Sequence, residues 1–510
     1  MRIIKDNELR SYIQSDLVDF ISLSSAMAGI SEKDVKRQMI GRFFLEASKC
    51  EEMLDAFGAQ RNRYWSPVRI AVAVAKAFSQ VIYNLFHLYF SADGYNLMKV
   101  EGNFKEATQE SLFTLIKAFS NFSRSFMKIA ESMELAGNLH SLEYYNFHEV
   151  TVNGKLQANL KRKTPGEPKE IALNLATSLL NTAEEGSWLD IYRKIEPEDY
   201  YTCIPDIISE TKLRYLADNF HSLQSLYDTY LSNSDIAEED KKLPVLRGQI
   251  TVVYHLLDTA VTLVHFYERH ALVNWDKKLD SPISNQKLLE IIIGYFVSFA
   301  NKYLVETQKL CRDILKSYAV MGEITVPIPS YRGFHVRPST LIAKIIIHYG
   351  SEVQMILGDS VYNAALPLEL FRANEELNRR KRNAVASYII NNELIRENMG
   401  RQLDEEEMKD ILRDVFLDLL ENQKIMIYDS DFSFSDITPY ETESLPEFIK
   451  RTIALYLAMG KIDIISNDTV KFRGDKRVLE DIKILAENGY GEDKFGNNIV
   501  LPKELSYLKR

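Results

Sequence analysis

One short segment of this 510-residue chain combines residue types that could do chemistry. It reads Gly333-Phe334-His335-Val336-Arg337-Pro338-Ser339, with a strand-like run before it and a helix-like run after it. The segment therefore places His335 and Arg337 at a helix N-terminus, where unpaired N–H groups and the positive end of the helix dipole favour anions. Pro338 suits the first turn, since its missing N–H would have no intrahelical partner there. A histidine so placed can carry a phosphoryl group, with Arg337 positioned to pair with it.

The elements around this segment must hold the histidine in place. Ile324, Val326 and Ile328 are spaced two apart, which is typical of a strand that leads into the turn. The pattern after the turn predicts a helix over 339–349, strands over 353–357 and 360–363, a helix from about 366, a strand over 424–428 and a capped helix over 445–459. The histidine would then lie where the first strand gives way to the first helix.

This order of elements resembles HPr, the histidine phosphocarrier of the bacterial sugar phosphotransferase system. The residues that match the family's active-site motif are Gly333, His335, Arg337 and Pro338. The resemblance implies an open-faced β-sandwich, with three helices on a four-stranded antiparallel sheet. It also implies phosphorylation of His335 on its δ1 nitrogen. Arg337 and the backbone N–H groups around Ser339 and Thr340 would then hold the phosphate.

The chain departs from the family's pattern at its second helix. Where many relatives have a regulatory serine, this chain aligns Ala365, so we expect control by a serine kinase to be absent. The family's apolar docking face would fall on Leu366, Leu368, Leu370 and Phe371. Because this helix leads into additional sequence, partner recognition is expected to differ from that of a free-standing HPr.

The resemblance covers only 322–371 and 424–461, and we interpret the residues between them, 372–423, as a helical insertion. Apolar positions of this insertion such as Val385 and Leu419 need a surface to cover them. The expected surface is the protein's own helical region.

The fold class predicted for the whole chain is mainly α with an α+β module. Apolar residues at three- and four-residue steps indicate long helices on both sides of Asn153-Gly154, a pair that accommodates a type I′ hairpin turn. The predicted domains are a helical bundle (1–148), a hairpin and linker (149–168), a second helical bundle (169–320), an HPr-like open-faced β-sandwich with its insertion (321–465) and a small α+β tail (466–510).

Charge and cysteine content narrow the class of protein. A net charge of −10 argues against nucleic acid as a partner, because nucleic acid selects a basic face. The three cysteines are far apart and odd in number, so neither a disulfide framework nor a metal site follows from them. The default compartment is therefore a reducing one.

The most membrane-like segment, 77–92, has no charged residue but contains Gln80, Asn84 and His87. It also falls short of the roughly 20 apolar residues that a membrane span requires. We therefore expect a buried bundle helix, no membrane span and a cytoplasmic protein.

Other candidate sites are weaker. His265 and His270 lack the i, i+4 spacing of helical metal ligands, so no metal site is predicted. The basic run 379–382 could bind phosphate or nucleic acid, but a solvated helix surface is the expected reading. The chain contains no P-loop, no nucleophile elbow and no kinase signature set, so no independent catalytic site and no cofactor are predicted.

The function favoured by the sequence is that of a phosphocarrier or regulator, which accepts a phosphoryl group on His335 from a donor protein of the phosphoenolpyruvate-dependent phosphotransferase system. A neutral imidazole would act as the nucleophile, with Arg337 and the helix N-terminus stabilising the transferring oxygens. The alternative is a non-enzymatic interaction protein, in which the HPr-like fold is a docking platform and the helical bundles bind an unidentified protein. Fold alone does not decide between them.

Overall fold

A computed structural model describes residues 3–147, 166–271, 279–428, 433–434 and 437–509. Helix accounts for 69% and strand for 7% of the structure, with a small antiparallel sheet region, and this confirms the prediction of a mainly α protein. The chain divides into two compact units, Met1–Ile314 and Leu315–Arg510. The predicted hairpin lies outside the described residues.

The first unit is built from helices, most of them long. These are α1 (Asp6–Gly29), α2 (Arg37–Ala56), α3 (Ser66–Ser91), α4 (Phe104–Ser132), α5 (Pro168–Glu185), α6 (Glu210–Tyr230), α7 (Asp235–Glu239), α8 (Lys242–Phe266), α9 (Asn285–Leu289) and most of α10 (Ser298–Tyr318). A π-helical segment, Glu290–Val297, joins the last two. Helix α3 packs against both α4 and α8, so the two helical stretches predicted as separate bundles lie in one compact unit.

Three helices are long and apolar enough to cross a membrane, judged by length and composition. They comprise Ser66–Tyr95, Lys242–Arg269 and Asn285–Tyr318, and most of each apolar window is buried within the fold. This finding corrects the predictions of no membrane span and of a cytoplasmic location. The sequence argument went wrong because it judged only the charge-free run 77–92, whereas the apolar helix that contains this run extends over Ser66–Tyr95.

The second unit contains an antiparallel sheet and a set of helices. Its elements are β1 (Met321–Pro327), α11 (Val336–Tyr349), β2 (Val353–Leu357), β3 (Ser360–Asn363), α12 (Pro367–Asn391), α13 (Glu393–Glu397), α14 (Glu405–Glu421), β4 (Ile425–Ile427), α15 (Leu445–Ala458), β5 (Ile462–Ile464), β6 (Thr469–Asp475) and α16 (Lys476–Glu487). Four strands form one sheet in the order β1-β6-β2-β3. In it Val326 lies opposite Val470, and Met355 opposite Phe472.

One face of this sheet is covered by helices. Apolar side chains of β1, β2 and β6 share a core with α11, with α16 and with the first half of α12. The opposite face carries charge, since Glu323 forms ion pairs with Lys471 and Arg473 at 2.8 and 3.0 Å. This division follows from the period of two along each strand. We call these elements the sheet lobe.

The strand predicted over 424–428 is confirmed as β4, but its expected place as the fourth strand of this sheet is wrong. Strand β4 pairs with β5 in a separate two-stranded sheet, and the fourth strand of the main sheet is β6, from the predicted tail. In β6, the buried Val470 and Phe472 alternate with the exposed Lys471 and Arg473. That alternation suits a sheet with one covered face, so the tail completes the sheet lobe.

The insertion is longer than predicted and has its own hydrophobic core. The second half of α12 packs with α13, α14, α15, β4 and β5, which we call the insertion lobe. Val385 and Leu419 are buried here beside Phe448 and Ile449 of α15. The apolar side chains of the insertion are therefore covered within the second unit itself, and no separate helical region is needed.

Candidate functional site

His335 is the N-cap residue of α11, as the sequence predicts. Its backbone is extended, and its carbonyl oxygen accepts a hydrogen bond from the Ser339 N–H at 3.2 Å. The Ser339 N–H is thus already engaged in the helix, and Thr340 lies one residue further in. The first-turn N–H groups without an intrahelical acceptor are those of Val336 and Arg337.

The turn before the histidine requires a glycine. Gly333 has a φ of +63°, and a Cβ there would lie 2.1 Å from Oδ1 of Asn374. That amide, on α12, accepts a hydrogen bond from the Phe334 N–H at 2.9 Å and donates one to the Arg332 carbonyl at 3.1 Å. Phe334 itself is buried against Phe472 in the sheet-lobe core. The turn is therefore held by the hydrogen bonds of Asn374 and by the buried ring of Phe334.

The imidazole of His335 contacts a buried carboxylate. Its Nε2 lies 2.7 Å from Oε1 of Glu492, whose side chain is only 2% exposed, while that of His335 is 26% exposed. An ionised carboxylate can only accept a hydrogen bond, so Nε2 carries the proton in this pair. When the ring is neutral, Nδ1 then holds the lone pair.

Arg337 brings a positive charge to the same place. Its Nη1 lies 4.0 Å from Oε2 of Glu492. This nitrogen is buried and has no hydrogen-bond partner among the described residues. A buried donor without an acceptor is unfavourable, by about 1–3 kcal/mol. A phosphate oxygen bound beside His335 would supply the acceptor.

Aromatic rings form one wall of the site. The ring of Tyr331 meets the imidazole of His335 edge to face at 5.4 Å, and lies 5.1 Å from the ring of Tyr428. A Cβ at Gly496 would lie within 3 Å of the Tyr331 ring, so a loop from the C-terminal region closes over it. Burial, together with the neighbouring Asp463, raises the pKa of Tyr428, whose hydroxyl therefore stays protonated and donates to Asp463 Oδ2 at 3.2 Å.

The insertion lobe touches the histidine turn directly. The Arg332 N–H donates to Oδ2 of Asp463 at 3.0 Å, and its Nη2 donates to the Gly460 carbonyl at 3.3 Å. A cleft of about 610 Å³ lies beside His335, with residues of both lobes lining it. The side chain of His335 is thus at the junction of the two lobes.

Sequence reasoning found the histidine, the arginine and the glycine of the turn, but missed Glu492, Asn374 and Asp463. No local signal marks these three residues, since each belongs to an element distant in the chain. Comparisons of the chain with protein-family models, with curated proteins and with solved structures find no match. The functional assignment therefore depends on the geometry of the site.

Proposed function

We propose that this protein is an HPr-like phosphocarrier or regulator that accepts a phosphoryl group on Nδ1 of His335. The observation that carries the proposal is the hydrogen bond between Nε2 and the buried Glu492. It orients the ring and leaves Nδ1 with a lone pair beside Arg337 and the N-terminus of α11.

In the proposed step, the Nδ1 lone pair attacks the phosphorus of the donor. An N–P bond forms while the bond from phosphorus to the donor's leaving atom breaks, and its electron pair stays on the donor. The proton on Nε2 remains, so the ring gains positive character that the carboxylate of Glu492 offsets. The unpartnered Nη1 of Arg337 and the first-turn N–H groups would stabilise the charge on the transferring oxygens.

The architecture of the sheet lobe also supports the proposal. Four antiparallel strands with three helices on one face are the arrangement that the resemblance to HPr implies. A regulatory rather than a shuttling role is favoured by the insertion lobe, because Asp463 and Gly460 hold the turn that carries the histidine. A shuttle that serves several partners would leave this turn open.

The test is phosphorylation of the full chain by phosphoenolpyruvate and the general enzyme of the phosphotransferase system. We expect an acid-labile phosphate that mass spectrometry assigns to His335 and that His335→Gln abolishes. His348→Gln is the matched control, since His348 lies at the other end of α11 and stacks on Tyr507 at 4.0 Å. The proposal fails if the chain takes up no phosphate while a free-standing HPr is labelled, and the docking-platform alternative then replaces it.

A further inference from the structure

The cleft beside His335 has an unusual stripe of polar side chains along α12. Asn374, Asn378 and Lys381 are spaced at four and three residues, so they lie on one face of the helix, and all three line the cleft. Asn374 fixes the histidine turn. The other two lie further along the same face, where Arg382 at the exposed edge adds a second cation.

Lys381 corrects the prediction that the basic run 379–382 is simply solvated. The residue is only 5% exposed, whereas Arg379, Arg380 and Arg382 are exposed. Within the part of the chain that the structure describes, its ammonium group has neither a hydrogen-bond nor an ion-pair partner. Its Nζ is not among the buried side-chain atoms that lack a hydrogen-bond partner, so the stem of the side chain is buried while its charged end stays accessible. A lysine whose stem is held in place and whose accessible charge has no ion-pair partner among the described residues offers a binding group for an anionic ligand in the cleft.

The remaining lining defines what kind of anion fits. Three cations, Arg332, Lys381 and Arg382, face one carboxylate, Asp463, and that carboxylate already accepts hydrogen bonds from Arg332 and Tyr428. The excess of two positive charges matches a phosphate dianion. The wall from the insertion lobe is apolar instead, with Ala454, Leu457 and Ala458. A volume of about 610 Å³ suits a small molecule.

We infer that this cleft binds a small phosphomonoester with an apolar body, the phosphate lying against Lys381 and the body against the end of α15. This site goes beyond the proposed function, because binding requires no phosphoryl transfer and the ligand is not a protein. Its occupant would contact both lobes and lie beside His335. Its binding would therefore make the surroundings of His335 depend on the concentration of a small phosphorylated metabolite.

The test uses phenyl phosphate as the probe, titrated calorimetrically into the full chain. We expect saturable binding, weaker binding of inorganic phosphate and none of phenol. Lys381→Met should weaken phenyl phosphate binding about tenfold or more, because hydrogen bonds to a charged group contribute about 1.5–3 kcal/mol. Arg379→Met removes the same charge from the same helix outside the cleft, and should leave binding unchanged.

Two further variants make the result unambiguous. Lys381 also lines a neighbouring cavity of about 350 Å³, which Lys424 lines as well. Lys424→Met should therefore have little effect on phenyl phosphate binding. A loss of affinity as large as that of Lys381→Met would place the ligand in the neighbouring cavity and overturn the inference. Absence of saturable binding, or wild-type binding by Lys381→Met, would also overturn it. Phosphoenolpyruvate-dependent labelling of His335 is measured separately on the wild-type chain, so failure of the phosphocarrier proposal and failure of this inference give different results.

Discussion

Among single residues, Glu492 determines how the imidazole of His335 is oriented. Its carboxylate is buried, and its charge is met by the imidazole N–H and the guanidinium of Arg337. The sequence could not indicate this role, because Glu492 follows the histidine by 157 positions and lies in a loop without a recognisable motif. The position of His335 could be predicted, since a glycine, a proline and a helical period define a helix N-terminus locally.

The first prediction separates the chemical role of His335 from its structural role. His335→Ala should lower the free energy of unfolding by about 1–3 kcal/mol, because it leaves the buried carboxylate of Glu492 without its hydrogen-bond donor. His335→Gln can still donate to that carboxylate and should recover most of the loss. Both variants should take up no phosphate. Chemical denaturation measures the difference, and equal stability of the two variants would contradict the role of Glu492.

The second prediction concerns Arg337. Arg337→Ala should raise the activation free energy of phosphoryl transfer to His335 by about 2–4 kcal/mol, by analogy with removal of an electrostatic donor. Rapid-quench measurement of phosphohistidine formation gives the rate. The control is Arg473→Ala, since Arg473 pairs with Glu323 on the opposite face of the sheet. An unchanged rate for Arg337→Ala would mean that its guanidinium does not contact the transferring group.

Among the elements, the strands show where pattern reasoning works and where it does not. Strand β1 was predicted from the alternation of Ile324 and Val326, and the structure confirms it. The sequence nevertheless places the wrong strand in the main sheet, because the apolar run of β4 and the alternating pattern of β6 are both typical of strands. Only the strands with which β4 and β6 pair distinguish them, and this pairing depends on residues that are remote in sequence.

The third prediction concerns the turn before α11. Gly333→Ala should destabilise the protein by more than the roughly 1–2 kcal/mol of a positive φ alone, because its Cβ would collide with Asn374. Gly400→Ala isolates the conformational contribution, since Gly400 has a φ of +83° and open space around it. Unfolding free energies of the two variants give the comparison. Equal losses would show that Asn374 moves aside without penalty.

The fourth prediction concerns the insertion lobe in acid. Two hydrogen bonds from Arg451, at 2.7 and 2.8 Å, hold the pKa of Glu443 below its usual value. A carboxyl group with a lowered folded-state pKa stabilises fully above its unfolded pKa, and this stabilisation is lost as the pH falls through the folded value. Glu443→Gln should therefore lower the Tm at neutral pH, and the difference from wild type should shrink in acid. A difference that stays constant with pH would contradict this reading.

For the whole molecule, helical content could be predicted because the 3.6-residue period is a local property. The grouping of the helices into units could not, since it depends on which apolar faces meet. The same holds for the insertion: its apolar positions are evident in the sequence, but their cover comes from α15, beyond the predicted boundary. The sequence argument likewise underestimated the potential of three helices to cross a membrane, because length and apolar character must be judged over each whole helix.

The fifth prediction is that phosphorylation of His335 alters the junction between the two lobes. The added negative charge would lie near Asp463, whose carboxylate holds the histidine turn through Arg332. Hydrogen exchange of the full chain should therefore show reduced protection in β4 and β5 after phosphorylation, with His335→Gln as the unphosphorylated control. Changes confined to the turn, with rapid transfer to a standard sugar-specific acceptor, would instead indicate a tethered shuttle.

The pairing of β1 with β6 determines when during synthesis the site can exist. Met321 lies opposite Asp475, so the ribosome must make the whole insertion lobe before the first strand finds its neighbour. Glu492 emerges later still. The insertion lobe, whose contacts are more local, can form earlier. A nascent chain, or one cut before Glu492, would thus carry His335 without the carboxylate that orients it. Orientation of the histidine would then be a sign that the chain has been made at least as far as Glu492.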